Sequence, residues 1–539
     1  MCISSHRKKR LKILLIIPLA ASGLLLFIFS GCVSVGPSYV EPDVPEAGAW
    51  QEKDDRTISQ EQAELGEWWL VFQDPVLNQL IDAAYRQNLT LQAAGVRIAE
   101  ARAELGIVKG SLWPQQQRLD AIYKYSNLSE NASNVDPSVI DTSYSEWGLG
   151  FDVGWELDVW GKYRSAIESG KANLEASIAN YDDILVILTA EVARAYVLIR
   201  TLEGRIEVAH QNVQIQARSL QITEAQFEGG IVTDLDVQQA RSLLKGTEAL
   251  VPQLEASYNR RKNGLAILLG VMPGTIDHMI SQPKPIPTAP SQVATGIPAE
   301  LMRRRPDIRF AERQLAVQSA RIGIAQSELY PQFALFGSIG LRSQDLGDLF
   351  SGDSIEFFTG PALRWNVLNY GRIRNKVRVQ DARFQALVLE YENTVLSAHR
   401  EVEDAMVSFL KTREREGYLS ESVKSSLRAV DLSMLQYSEG LVDFQRVLDT
   451  QRFLAEQQDA YVSANGLVAI SLVTMYKALG GGWEIRQGND FIAEDVRLEM
   501  SERTKWGNLL EQEELEPPAT NSREGIPAVT IGVPTCAES

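Results

Sequence analysis

The feature that most restricts the fold of this chain is a long proline-free stretch that carries an apolar seam. No proline occurs from residue 161 to residue 228, and apolar side chains recur there at alternating steps of three and four: Ile178, Tyr181, Leu185, Leu188, Val192, Ala195, Ile199, Leu202, Ile206, Ala209 and Val213. This spacing predicts a coiled-coil helix, because it keeps one stripe of side chains against a partner helix. At about 1.5 Å per residue, a helix over 161–227 would be roughly 100 Å long. No globular domain of this size encloses such a helix, so the sequence predicts an elongated helical assembly.

The second half of the chain repeats the pattern. WELDVWGKYR at 155–164 and WNVLNYGRIR at 365–374 share a tryptophan, a glycine and an arginine at an offset of 210 residues. Upstream the offset is 217: the Trp-Pro pair at 113–114 corresponds to the Tyr-Pro pair at 330–331. We interpret this as an internal twofold repeat with a loop insertion in the first copy. The repeat predicts a second long helix at 372–438.

Alternation of apolar and polar residues indicates β-strands within each copy. At 146–157 one face is apolar: Trp147, Leu149, Phe151, Val153, Trp155 and Leu157. The second copy alternates less regularly at 357–367. The predicted order in each copy is helix, strand, loop, strand, helix, helix, which makes four strands per chain. The aromatic ends of the apolar face and its length favour a membrane-spanning sheet, although an amphipathic sheet on a soluble core would alternate in the same way.

Four strands raise a problem of closure. They are too few to form a barrel, and an open sheet edge cannot face hydrocarbon because its backbone groups would have no hydrogen-bond partners. Strands in a membrane would therefore have to come from several chains. Three chains would supply twelve strands and four would supply sixteen, and both numbers are even, as in bacterial barrels.

The N-terminus is typical of an export signal. A basic cluster at 7–12 leads into an apolar run at 11–29, which ends in FSGC at Cys32. This pattern predicts a signal peptide at 1–31. FSGC resembles the end of a bacterial lipoprotein signal, which implies a covalent lipid on Cys32 and sorting to the outer membrane. A permanent transmembrane anchor is the alternative, because the run is just long enough to span a bilayer.

Proline and charge divide the rest of the chain. We predict a lipid-anchored extended tether at 32–65, a first structural repeat at 66–270, a proline-rich linker at 271–299, a second repeat at 300–483 and an acidic, partly disordered tail at 484–539. The net charge of −17 makes nucleic acid an unexpected partner, because an acidic surface repels phosphates.

Five stretches together carry a family resemblance: VGPSYVEP after Cys32, WELDVWGKYR, LMRRRPDIRFAERQLAVQSARIGIAQSELYPQF, NYGRIRNKVRVQDARFQA and LVTMYKALGGGW. Over residues 32–483 the chain resembles the TolC-type outer-membrane efflux proteins, in particular their lipoprotein branch (OprM and NodT-like). The resemblance implies an α+β membrane protein. Its homotrimer would form a twelve-stranded β-barrel, with four strands per chain, that continues into a long α-helical coiled-coil barrel.

The same resemblance implies a function and partners. The chain would be a channel in the outer membrane of a Gram-negative bacterium, anchored by its lipid and extending into the periplasm. It would dock to a periplasmic adaptor protein and serve an inner-membrane pump of the RND class, conducting substrates passively to the exterior. The transported compound is not specified by these residues.

The turns between the long helices read FEGGIVTDLDVQQAR at 227–241 and YSEGLVDFQRVLDTQR at 437–452. They would lie at the periplasmic tip and contact the adaptor, with residues Gly229, Gly230, Gly440, Leu441 and Val442. The glycines supply the backbone freedom needed to reverse direction. Three polar residues beside them fit either ordinary helix capping or a gate: Thr233, Asp234 and Asp443.

Asp449 lies past the turn, where no cap is needed. Repeated by symmetry, it would form a ring of carboxylates that attracts cations and narrows the tunnel mouth. A solvated helix face is the ordinary alternative. The resemblance implies that Asp449 lines the constriction and that Tyr437 and Asp236 form a clasp that holds the tip shut. The chain has Arg446 where the family has a second aspartate and Val442 where it has an arginine, so we expect fewer polar ties.

Two other functional classes are weighed against a channel. An enzyme is disfavoured, because the four histidines are far apart and the sequence has no zinc-protease, nucleophile-elbow or P-loop motif. We expect no cofactor and no metal site. Arg303, Arg304 and Arg305 before Pro306 predict a solvated helix start rather than a phosphate site. A structural coiled-coil lipoprotein without a pore remains the alternative, although such a spacer needs no amphipathic strands.

Overall fold

The computed structural model describes residues 34–43, 48–59, 61, 64–129, 131, 133, 138–139, 141–280, 282–296, 298 and 303–511. The predicted signal peptide, Cys32 and the last 28 residues of the predicted tail, 512–539, lie outside the described residues. The helices are α1 Pro75–Gln87, α2 Leu89–Gly110, α3 Lys162–Glu228, α4 Asp234–Leu268, α5 Pro306–Ser327, α6 Arg372–Ser438, α7 Phe444–Ala478 and α8 Glu494–Arg503. The strands are β1 Ile58–Ser59, β2 Gln116–Asn127, β3 Ser143–Leu157, β4 Val293–Ala294, β5 Gln332–Ser343 and β6 Ile355–Arg364.

Two helices of equal length dominate the molecule. α3 and α6 each contain 67 residues, which at about 1.5 Å per residue is roughly 100 Å. Both predicted long helices are therefore confirmed, the second with the bounds that the repeat predicted. Each turns back into a helix of 35 residues, α4 or α7. The order α2–β2–β3–α3–α4 in the first half is the same as α5–β5–β6–α6–α7 in the second half.

Four long strands form one antiparallel sheet in the order β2-β3-β5-β6. β3 contains the predicted strand at 146–157. β6 ends at Arg364, three residues before the strand end that the alternation at 357–367 predicted. Arg364 pairs with Gln332 at the start of β5, and the residue before Gln332 is Pro331, which has no N–H to donate to the ladder. The two outer strands, β2 and β6, are the open edges of this sheet.

The repeated tryptophans make the same bond in both halves. Trp155 Nε1 donates to the carbonyl oxygen of Leu112 at 3.1 Å, and Trp365 Nε1 donates to that of Leu329 at 3.0 Å. The donors are related by the offset of 210 and the acceptors by the offset of 217. Each bond ties the end of the second strand to the segment that leads into the first. This contact explains why a tryptophan recurs at these positions.

The glycine of the repeat is needed for its backbone conformation. Gly161 and Gly371 immediately precede α3 and α6, with φ of 79° and 77°. A residue with a Cβ is strained in this left-handed region. The chain therefore uses glycine at both points where a strand connection enters a long helix.

A second pair of equivalent contacts closes each half. The Asn88 side-chain amide donates to Leu268 at the end of α4, at 2.9 Å, and Arg305 Nη1 donates to Ala478 at the end of α7, at 2.6 Å. Arg305 is 7% exposed and also pairs with Asp307 and Glu401. The prediction of a solvated helix start is therefore wrong for Arg305, because its guanidinium caps a helix end 173 residues away in the sequence.

The largest apolar core includes the first half of α3, where α1, α2, α3, α6 and α7 meet. Its fully buried side chains include Leu77, Leu185, Tyr196, Phe409 and Leu472. Smaller clusters pack between α5 and α6 and at the turns of the long helices. None of the helices within the described residues has the length and hydropathy to cross a bilayer.

The two ends of the described chain lie against the helices. In the predicted tether, the Tyr39 hydroxyl donates to Glu312 Oε1 at 2.7 Å. In the predicted tail, residues 484–511 include α8 and bury three apolar side chains beside Ala99 of α2: Ile492, Met500 and Leu510. Arg486 forms an ion pair with Asp182 of α3, and the Asp182 side chain is fully buried. The first half of the predicted tail is thus packed on the helices.

Candidate gate at the helix tips

The two helix-turn tips have the same backbone geometry. Gly230 and Gly440 have φ of 70° and 71°, so both need glycine. In the first turn the Ile231 N–H donates to Gln226 at 2.8 Å and the Gly230 N–H to Phe227 at 2.9 Å. This 6→1 and 5→2 pair is a Schellman motif, and the second turn repeats it at an offset of 210. Gly229 has ordinary right-handed angles, so its lack of a side chain is not required by φ.

The polar residues after the turns cap the returning helices. Thr233 is the N-cap of α4, and Asp236 accepts from its backbone N–H at 3.0 Å and from its hydroxyl at 2.8 Å. Asp443 is the N-cap of α7 and accepts from the Arg446 N–H at 3.2 Å. Asp234, the first residue of α4, accepts from a glutamine amide one turn later. The spacing T-x-x-D at 233–236 is the sequence signature of this capping box. The sequence analysis assigned Asp236 to the clasp instead.

The hydroxyl of Tyr437 is not hydrogen-bonded to Asp236 within the described residues. Tyr437 is 5% exposed and packs on Phe444, with ring centroids 5.2 Å apart. Its hydroxyl makes no hydrogen bond of accepted geometry with the described residues. Burial raises the pKa of Tyr437, the Thr223 hydroxyl lowers that pKa and the Asp236 charge raises it. The clasp between Tyr437 and Asp236 that the resemblance implies stays a prediction.

Most of the remaining tip residues face solvent in the single chain. Asp449 and Arg446 are exposed on α7, and Asp449 Oδ1 accepts from Gln445 Nε2 at 2.9 Å. Leu441 is 74% exposed, whereas Val442 is half-buried in the apolar cluster of the tip. The structure therefore brings the predicted gate residues to one end of the helical hairpins, with Asp449 on the surface.

The molecule therefore combines a four-stranded sheet with open edges and paired helices of roughly 100 Å that end in matched glycine turns. Residues 80–271 and 297–481 match the family model described as "Outer membrane efflux protein". The chain belongs to this family. The family resemblance predicted from the sequence is thus confirmed, and the family is one of channels rather than enzymes.

The chain is similar to individual outer membrane efflux proteins over nearly their whole length. The chain is 29% identical over 472 residues to nodulation protein T of Rhizobium leguminosarum bv. viciae, covering 86% of this chain and 93% of the relative. It is 30% identical over 448 residues to the pyoverdine export outer membrane protein OpmQ of Pseudomonas putida, covering 82% and 92%.

The solved structure of the outer-membrane channel OprN superposes with a TM-score of 0.78 at 32% identity, covering 84% of this chain and 99% of OprN. The channel CmeC of Campylobacter jejuni gives a TM-score of 0.78 at 22% identity, which shows a shared fold. The α+β fold of the chain, with its helical hairpins, is therefore that of the outer-membrane channels.

Proposed function

We propose that three copies of this chain form the outer-membrane channel of a tripartite efflux system. The channel passively conducts substrates from an inner-membrane RND-type pump and a periplasmic adaptor protein to the exterior. Each copy is anchored by a lipid on Cys32. The single observation that carries this proposal is the four-stranded sheet whose two open edges are long and in which the second strand of each half, β3 or β6, is followed by a long helix.

The sheet edges favour a barrel shared between chains. β2 and β6 contain 12 and 10 residues, and each leaves one side of its backbone unpaired among the described residues. Unpaired backbone groups of this number are tolerated in a membrane only if another strand covers them. Pairing of β6 with β2 of the next copy would satisfy both edges, and three copies would give the twelve-stranded barrel that the family resemblance implies.

α6 supports the same arrangement in the tunnel wall. One side of α6 packs on α5 with buried residues Tyr391, Val395 and Ala398. The opposite side carries apolar residues that are 48–60% exposed in the single chain: Val379, Leu389 and Leu396. A helix in the wall of a closed helical barrel needs a neighbour on both sides. The neighbour on the exposed side would be a helix of the next copy.

The tips would form the gate and the docking surface of this channel. A threefold arrangement would place three copies of Asp449 around the tunnel mouth, where their combined negative charge would attract cations and hinder the passage of anions. Gly229, Gly230, Gly440, Leu441 and Val442 would present the two turns to the adaptor. Ile231 and Leu441, both 74% exposed, are the apolar side chains on which such a contact could be built.

Single-channel conductance of the detergent-purified oligomer in a planar bilayer tests the proposal. We expect a trimer with a small, cation-selective conductance that rises in Asp449→Ala and stays unchanged in Glu502→Ala, which removes an exposed carboxylate from α8. A trimer that conducts identically in all three forms would retain the channel and refute the gate. A species that is not a trimer and does not conduct would favour the structural lipoprotein instead.

A further inference from the structure

The two faces of the four-stranded sheet differ in chemistry. One face carries the apolar residues of β3 and, in register with them, apolar residues of β5 and β6: Leu335, Ile339, Leu341, Phe357 and Leu363. The opposite face carries the charged residues: Arg118, Asp120, Lys124, Glu146, Asp152, Arg342 and Glu356. In a membrane barrel the apolar face meets lipid and the polar face lines the interior. Under the proposed function, the charged face of this sheet would therefore line the lumen.

Two phenylalanines lie on this charged face. Phe336 on β5 is opposite Gly154 of β3 and Gly360 of β6, and Phe358 on β6 is opposite Ser338 of β5. The two rings contact each other at an angle of 56°, with centroids 6.0 Å apart. Phe336 is 41% exposed and Phe358 is 59% exposed. We call these two residues the lumen aromatic pair.

Packing within the sheet accounts for only one of the two rings. Phe336 lies beside Gly360 on the edge strand, and an aromatic ring stabilises a sheet by covering a cross-strand glycine. A Cβ added at Gly360 would meet the Cζ atom of Phe336 at 3.7 Å. Phe358 is opposite a serine and leaves more than half of its surface in water. Exposed apolar surface is unfavourable, so the ring of Phe358 has a face that a bound molecule would cover with a gain in free energy.

A barrel shared by three chains would leave the lumen aromatic pair accessible. Side chains just fill the interior of an eight-stranded barrel, so a barrel of twelve strands keeps open space at its centre. Glycines on the same face lower the wall beside the pair. Gly150 and Gly340 are opposite each other, and a Cβ added at Gly150 would meet nothing within 4 Å. A flat molecule in the lumen can therefore lie against the rings and the neighbouring backbone.

We infer that the lumen aromatic pair is a contact site for transported solutes that carry an aromatic ring, which pack on Phe336 and Phe358 as they pass through the barrel. Aromatic rings attract each other in tilted or offset arrangements by more than the burial of apolar area alone provides. The site therefore distinguishes an aromatic solute from an aliphatic solute of the same size and charge. The position of the pair in a lumen rests on the proposed function, whereas its assembly rests on the strand register within one chain.

Two probes that differ only in their ring test the site on the purified full-length protein in lipid nanodiscs. Benzyltrimethylammonium carries an aromatic ring, and (cyclohexylmethyl)trimethylammonium has the same charge and nearly the same size without one. Titrations followed by saturation-transfer NMR measure both affinities. We expect the wild type to bind the benzyl probe about two- to tenfold more tightly, as one aromatic contact provides. Replacing Phe336 and Phe358 together by leucine keeps two apolar side chains and removes both rings, so this preference should disappear.

Phe357→Leu is the matched control, because Phe357 is the neighbour of Phe358 on β6 and carries an exposed ring on the opposite, apolar face. It should keep the preference of the wild type. Phe358→Leu alone is the second variant in case the double replacement disturbs the sheet, and it should lower the preference. Equal affinity of the wild type for the two probes, or no measurable binding of either, would overturn the inference. So would a preference that survives in the double leucine variant.

Conductance separates the site from the channel that would contain it. A conducting trimer whose preference for the benzyl probe is the same in the wild type and in the double leucine variant would refute the contact site and retain the proposed function. A wild type that does not conduct would refute the proposed function and with it the position in a lumen. The probe titrations would still decide whether the lumen aromatic pair binds aromatic rings.

Discussion

Asp183 offers the most quantitative test of how the hairpins are held together. It lies on α3 at a cavity of about 230 Å³, where the start of α5 and the end of α7 meet α6. The charged residues that line this cavity with it are Arg305, Asp307, Glu401 and Lys477. The site thus gathers three carboxylates and two cations from four helices and the residue that precedes α5.

The pKa of Asp183 is raised from 3.8 to about 6, chiefly by burial and next by the carboxylate of Asp307. Arg305 and Lys477 lower this pKa, and Glu401 raises it. Between pH 3.8 and about 6 the folded chain therefore binds more protons at this site than the unfolded chain does. Stability must fall as the pH rises through this window, because the unfolded state then binds fewer protons than the native state.

The magnitude follows from the size of the shift. A difference of about two pKa units corresponds to about 3 kcal/mol at 1.36 kcal/mol per unit. Partial contact of the Asp183 carboxylate with solvent reduces this figure, so we expect a penalty of about 1.5–3 kcal/mol above pH 6. Asp183→Asn keeps the shape of the side chain and cannot ionise. It should therefore remove the penalty.

Thermal unfolding of the detergent-purified protein between pH 4 and pH 8 measures the effect. The melting temperature of the wild type should fall relative to that of Asp183→Asn as the pH rises from 4 to 7. The two curves should then run parallel above pH 7. Asp381→Asn removes an exposed carboxylate from α6 and should follow the wild type throughout. Parallel curves for wild type and Asp183→Asn between pH 4 and 7 would refute the reasoning.

Three further substitutions test other contacts. Gly95→Ala would place a Cβ 2.0 Å from the Phe491 carbonyl oxygen, so the packing of residues 484–511 on α2 should weaken by about 1–3 kcal/mol. Limited proteolysis should then cleave this segment faster. Gly106→Ala on the same helix meets nothing within 4 Å and should not change the rate of cleavage. Asp182→Asn takes the buried carboxylate away from two partly buried arginines, Arg309 and Arg486, and should lower the free energy of unfolding by about 2–4 kcal/mol; a loss below 1 kcal/mol in denaturant titration would contradict the ion-pair assignment. Trp365→Phe keeps an aromatic ring at this position and loses one indole hydrogen bond, so we expect a loss of about 1 kcal/mol. An unchanged melting temperature would show that the bond contributes nothing.

The candidate gate was predictable where its chemistry is local. The glycine turns and the caps at Thr233 and Asp443 depend on residues within one or two helical turns, and the structure has them where the sequence placed them. The capping box at Asp236 is equally local and was overlooked in favour of the clasp with Tyr437. The burial of Asn212, Gln216, Ser219 and Thr223 on α3 was not predictable, because the apolar pattern ends near Val213 and nothing in the sequence shows that the polar positions there are covered.

The sequence by itself determined the lengths of the long helices, the strands, the matched glycines and the twofold correspondence of the elements. These features depend on backbone conformation and on side-chain periods of two or 3.6 residues, which neighbouring residues set. Only the tertiary structure decided that Arg305 is buried, that Asp183 shares a cavity with charges from other helices, and that residues 484–511 pack on α2. Each of these depends on groups brought together from distant parts of the chain, and the energy of a buried charge depends on which groups surround it rather than on its sequence neighbours.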